Sequence, residues 1–166
     1  ATIFLDCIAE DLIQRGSQVK GLERVVRSTI KGRALGLGLL GYHTYLQDNS
    51  IPFDSFQARM KNVEIFKHLY DESNRASEYL AELLGEPEWC KGTGRRNTHL
   101  NAIAPNTGSA FMVGGTSQGI EPFAANVFNQ KLPHVGTVER INPSLLKLLK
   151  DKGIYNDDII TKIALN

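Results

Sequence analysis

A short apolar run threaded with glycine, Arg33-Ala34-Leu35-Gly36-Leu37-Gly38-Leu39-Leu40-Gly41, constrains the fold more than any other stretch of the chain. A run of leucine and small residues bounded by glycine suits a strand buried on both faces. Such a strand needs a sheet with helices over it, which points to an α/β fold. Gly36, Gly38 and Gly41 also spell a GxGxxG pattern. In a dinucleotide loop the apolar strand precedes the glycines, whereas here it surrounds them, and no acidic residue follows at a suitable distance. Glycine inside a strand more often marks a close backbone approach.

Helical patterns flank this run. Ile3, Phe4, Cys7, Ile8, Asp11, Leu12 and Arg15 fall near one face of a helix predicted over 2–15, ended by Gly16 and Ser17. A second helix is expected over 22–30, closed near Gly32, and a short third over 42–47. Ser55 caps the longest periodic element, whose apolar positions are Phe56, Met60, Val63, Phe66, Leu69, Tyr70, Ala76, Leu80 and Leu83. That stripe reads as core packing, and Gly85 ends the helix. The segment 98–104 reads as a second buried strand stopped by Pro105, and 126–131 and 137–141 as two more short strands. Asn142 then caps a helix with Pro143 at its first position, and a last helix begins near Asn156. Alternating helices and short buried strands predict parallel crossover units. No repeat or linker interrupts 1–166, so the segment is expected to be a single piece without an internal domain boundary.

Charge and composition exclude several classes. With 19 Lys and Arg against 18 Asp and Glu the net charge is +1, and no basic stripe interleaves with aromatics, so nucleic acid is not an expected partner. The apolar runs are too short for a membrane span, and the opening residues lack a basic leader. Both ends read as cuts: the first residues open inside an apolar segment, and 159–166 is expected to stop in mid-helix. Cys7 and Cys90 have no second ligand nearby and read as reduced thiols of a cytoplasmic protein. His43, His68, His99 and His134 show no metal-ligand spacing. Glu121, between Gly119 and Pro122, reads as a turn residue or as a carboxylate facing a pocket.

The most informative stretch is Pro105-Asn106-Thr107-Gly108-Ser109-Ala110. If a helix starts there, its first amides lack intrahelical partners and its partial positive charge attracts an anion. Thr107 and Ser109 offer hydroxyls, and Gly108 allows close approach. On the residues alone an anion seat and a plain helix cap both remain open.

Several segments taken together resemble the large subunit of class I ribonucleotide reductases. They are Arg96-Asn97-Thr98-His99-Leu100, Ala102-Ile103-Ala104-Pro105 with the small-residue run after it, Gly119-Ile120-Glu121-Pro122, and Ile141-Asn142-Pro143-Ser144-Leu145-Leu146. Lys31-Gly32-Arg33-Ala34-Leu35-Gly36-Leu37-Gly38 is similar to a barrel strand of that family, and 86–94 looks most like bacterial and phage members. The resemblance implies a partial segment of a ten-stranded α/β barrel, mainly helical with short buried strands. It also implies a role in reducing ribonucleotides to deoxyribonucleotides. The family seats the substrate diphosphate on a helix start after a proline, which carries over onto Pro105, Asn106, Thr107, Gly108, Ser109 and Ala110. Gly108 departs from the serine that many members carry.

The family's radical-bearing Asn-x-Cys-x-Glu pattern has no counterpart here, and neither do its redox cysteines or radical-relay tyrosines. The resemblance therefore implies no catalytic residue, metal or bound cofactor in this segment, and no activity for it alone. It implies as partners a ribonucleoside diphosphate, the remainder of the large subunit, a small metal-containing radical-generating subunit and a dithiol reductant. Self-association of the piece is expected. The alternatives are a phosphate-binding or assembly module without catalysis, and a segment of a cobalamin-dependent reductase.

Overall fold

The computed structural model describes residues 1–132 and 136–165; His134 lies outside them. The elements in chain order are α1 (Thr2–Gly16), α2 (Glu23–Gly32), α3 (Tyr42–Asp48), α4 (Phe56–Leu84), a 3₁₀ turn (Glu88–Cys90), α5 (Thr107–Met112), β1 (Val127–Leu132), β2 (Gly136–Ile141), α6 (Pro143–Asp151) and α7 (Asp157–Ala164). They group into two compact units, one from 1–38 and 60–103, the other from 39–59 and 104–166.

The helix ends follow local chemistry. Ser55 Oγ accepts the Ala58 amide at 3.1 Å. Asn142 and Asn156 accept the amides of Ser144 and Ile159 at 3.1 and 2.9 Å, and Pro143 opens α6. The last helix closes at Ala164, with the Leu165 amide donating to Thr161, and Asn166 lies outside the described residues.

In the first unit the centre is ionic. Asp6 and Arg33 are 3% and 4% exposed. Arg33 grips Asp6 through Nε to Oδ1 at 2.8 Å and Nη2 to Oδ2 at 3.0 Å, and reaches Glu10 at 2.9 Å. Arg96 Nε and Asn97 Nδ2 donate to the same Asp6 carboxylate at 3.1 and 2.9 Å. Arg96 also donates to the carbonyls of Leu84 and Gly85, which satisfies the end of α4. Ser77, fully buried on α4, donates to Asn97 Oδ1 at 2.8 Å.

Two expectations about core faces are reversed here. On α1 the buried residues are Thr2, Asp6, Ala9 and Gly16, while Ile3, Phe4, Ile8 and Leu12 are exposed. On α4 Phe56 is 76% exposed, and Met60, Val63, Tyr70 and Leu83 are exposed with it. The part of α4 in this unit buries Ser73, Ser77 and Leu80 instead, because small hydroxyl residues let the 97–101 segment approach closely: Ser73 and Ser77 donate to the Asn101 and Asn97 side chains, and Ser77 Oγ accepts the Asn97 amide.

The strands expected over 33–41 and 98–104 also require correction. Leu37 and Asn101 form a single parallel bridge, with Leu37 N–H to Leu100 O at 2.9 Å and Ala102 N–H to Leu37 O at 3.1 Å. Bonds from Leu35 N–H to His99 O at 2.8 Å and from Thr98 N–H to Gly32 O at 3.0 Å continue the contact, but among the described residues it does not become a ladder, and Ala34, Gly36 and Gly38 stay exposed. Gly38 marks the close approach that its residue type suggested, since a Cβ there would strike the Ala102 carbonyl.

The second unit holds the only ladder among the described residues, β1 against β2, antiparallel from Val127↔Ile141 to Leu132↔Gly136. Its small core joins Val127, Leu149 and Ile160, flanked by Ile141, Leu145, Ile159 and Ile163. The two strands pair antiparallel and not through the parallel crossover expected, because the three residues between them are too few for a crossover connection.

Candidate functional site

Pro105, which has no N–H to donate, delivers an exposed chain into the second unit's short helix α5. Asn106 precedes that helix and its amide donates to Gln118 O at 2.7 Å. The first amide engaged by the helix is that of Ala110, donated to Asn106 O at 2.9 Å. The amides of Thr107, Gly108 and Ser109 meet no acceptor among the described residues. An anion at this point would therefore meet three bare amides, with Ala110 excluded. Ala110 is instead the anchor, its methyl wholly buried.

The hydroxyls divide in the same way. Thr107 donates its proton to Gln118 Oε1 at 2.8 Å, so its oxygen can only accept from anything further. Ser109 is exposed and has no side-chain partner among the described residues. A Cβ added at Gly108 would meet nothing within 4 Å, so the approach to its amide is open.

Gln118, unnoticed in the sequence, belongs to a strap that links two helix starts. Its neighbour Ser117 accepts the Gly41 amide through its carbonyl at 2.8 Å and the amides of His43 and Thr44 through Oγ at 3.2 and 3.4 Å. Thr44 Oγ1 accepts the Ser117 amide in return at 2.9 Å. Beside the strap lies a cleft of about 350 Å³, lined by Pro105, Gln118, Glu121, Phe123 and Phe128 among others. Glu121 thus sits at a turn and also faces a cleft, so both readings of it hold.

Arg140 was equally invisible, being one charged residue in a polar strand. It is 7% exposed and donates to Gln130 Oε1 at 2.5 Å and to Gly115 O at 2.7 Å. Its guanidinium lies 5.4 Å from the Phe111 ring centre and 5.8 Å from that of Phe128.

Burial lowers the pKa of His43, whose Nδ1 accepts the Phe123 amide at 3.2 Å, so the ring is a neutral acceptor. Burial raises the Cys90 thiol, and Cys7 is exposed. Among the described residues no group of three or more His, Cys, Asp or Glu could hold a metal ion, and no helix is long and apolar enough to cross a membrane.

Comparison with known proteins bears on this arrangement. The family described as ribonucleotide reductase, barrel domain, matches residues 10–93 and 87–166. The large subunit of ribonucleoside-diphosphate reductase from Invertebrate iridescent virus 3 is 40% identical over 90% of this chain and 23% of its own length. A vitamin B12-dependent ribonucleoside-diphosphate reductase of Thermoplasma acidophilum is 31% identical over 99% of this chain and 21% of its own. Among solved structures, the Actinobacillus ureae class Id ribonucleotide reductase alpha subunit superimposes with a TM-score of 0.84 at 44% identity, covering 99% of this chain and 30% of that one. The chain thus spans between a fifth and a third of the length of these relatives. Over both matched stretches, helices and extended segments alike, the chain belongs to the ribonucleotide reductase barrel-domain family.

Proposed function

We propose that residues 1–166 form one piece of the catalytic barrel of a class I ribonucleotide reductase large subunit and contribute its substrate diphosphate seat. The observation that carries this reading is the start of α5: three bare amides, an exposed Ser109 hydroxyl and open space over Gly108, directly after Pro105. Amides and a helix dipole suffice to hold a phosphate without lysine or arginine contact. Pro105 and Asn106 set the entry of the chain, Ala110 anchors it, and Thr107 is held by Gln118.

The parent protein reduces ribonucleoside diphosphates in the cytoplasm with a radical-generating small subunit and a dithiol reductant. The residues of this chain bind and orient the substrate. They include no Asn-x-Cys-x-Glu pattern, so the radical cysteine comes from the remainder of the large subunit, and the chain alone does not turn over. A cobalamin-dependent reductase is the second reading, supported by the Thermoplasma relative's coverage. The segment Ile141-Asn142-Pro143 favours the first. Dependence of the full-length enzyme on a small subunit or on cobalamin separates them.

The seat is tested by Ser109→Ala in the full-length enzyme. A hydrogen bond to an ionised oxygen contributes about 1.5–3 kcal/mol, so KM for ribonucleoside diphosphates rises by roughly ten- to hundredfold. Gly108→Val raises it further by closing the approach. Unchanged saturation in both variants reduces the segment to a helix cap.

A further inference from the structure

A buried charge normally has a countercharge, because an uncompensated ion in a low-dielectric interior is costly. Asp6 and Arg33 obey that rule. Arg140 does not: among the described residues no carboxylate lies within ion-pair distance of its guanidinium, and its acceptors, Gln130 Oε1 and Gly115 O, are both neutral. Two aromatic faces flank it. They attract the guanidinium but carry no net negative charge to cancel it. Only 7% of the residue is open, and adding further chain can only reduce that, so little surface remains through which an outside carboxylate reaches it.

The charge sits against the far end of α5. Gly115, whose carbonyl receives Nη2 at 2.7 Å, donates its own amide to Ala110 O at 2.8 Å. Phe111, over which the guanidinium lies, is four residues along α5 from Thr107, about 6 Å of helix rise. Phe128, the other ring, lines the cleft beside the strap. An anion on the amides of Thr107 to Ser109 would stand at the opposite end of this six-residue helix from the charge, within the range of a Coulomb interaction and without touching it.

We infer that Arg140 is the electrostatic counterpart of the diphosphate, a positioning residue that makes the α5 start selective for anionic substrates through space. The inference rests on the diphosphate-seat reading and adds to it a charge that no amide count predicts. Substrate enters and supplies the missing negative charge.

The test uses the full-length enzyme with its radical-generating partner and compares Arg140→Lys with Arg140→Gln. Lysine keeps the charge, whereas glutamine keeps a donor for the Gly115 carbonyl and loses the charge. KM for a ribonucleoside diphosphate should stay within about threefold of wild type in Arg140→Lys and rise about tenfold or more in Arg140→Gln, with kcat unchanged in both. Inhibition by inorganic pyrophosphate should weaken in the same order, a readout that a packing role would not move. Equal losses in the two variants, or a KM in Arg140→Gln equal to wild type, overturn the inference. Arg140→Lys alone decides if glutamine fails to fold, since a tenfold higher KM there rejects a charge-based role. If Ser109→Ala leaves KM unchanged, the seat itself is wrong; if Ser109→Ala raises KM and Arg140→Gln does not, only the countercharge is.

Discussion

Arg33 holds a left-handed backbone, with φ 44°, where a side chain costs on the order of 1 kcal/mol. From that backbone its guanidinium makes the two-pronged contact with Asp6. Burial by itself would raise the Asp6 pKa, but hydrogen bonds from Arg33, Asn97 and Arg96 and the charge of Arg33 outweigh it and hold the carboxyl below its ordinary value. A depressed folded-state pKa means that the unfolded chain binds the proton more readily. This contribution to stability is therefore complete above the unfolded value of about 3.9 and disappears as pH falls through the folded value. Denaturant unfolding between about pH 2 and 6 should show stability falling with acid, and Asp6→Asn should flatten that slope. The same variant should lose about 3–5 kcal/mol near neutral pH, because it leaves Arg96 without its carboxylate and Arg33 with Glu10 alone. A wild-type slope in Asp6→Asn would assign the acid sensitivity elsewhere. Cys7→Ser and Cys90→Ser should each leave turnover of the full-length enzyme within about threefold of wild type. A loss of several powers of ten in either would give that thiol a chemical role.

At the level of elements, glycine separates structure from ligand approach. Gly38→Ala presses a methyl on the Ala102 carbonyl, a backbone atom that no rotamer change can relieve. It should destabilise by about 1–3 kcal/mol and remove exchange protection from the Leu37 and Ala102 amides. Gly108→Ala has open space and should be neutral in stability, so a higher KM there would report on the ligand alone. Helix positions were legible in the sequence because their causes are local, as with the side-chain caps at Ser55, Asn142 and Asn156. Helix faces were not. Periodicity locates a stripe but cannot say what covers it, and on α1 and α4 the interior took Asp6, Ser73 and Ser77 while most of each apolar stripe faced outward. The extended segments failed as strands for a related reason, since a ladder depends on neighbours that residue type does not reveal. The α5 start was legible as a proline followed by small residues. Gln118 and Arg140 were not, because each acts through a contact that bridges separate elements.

Over the whole molecule the exposed apolar residues are numerous, from Phe4 and Phe56 to Met112 and Leu165. The 166-residue chain on its own should therefore self-associate and bind a hydrophobic dye, as sedimentation and fluorescence would show. A strictly monomeric species with a sharp cooperative melt would count against its being a piece of a larger barrel. The Asp6 network carries a further consequence, one for synthesis. Asn97 stands 91 residues after the carboxylate it binds, and Arg33 only 27. On a ribosome adding about 5–20 residues per second, Arg33 arrives early, but Arg96 and Asn97 emerge roughly five to twenty seconds after Asp6. Through that interval α1 holds its two ion pairs to Arg33 but lacks the one to Arg96, and a nascent chain paused between the two should expose the helix to protease.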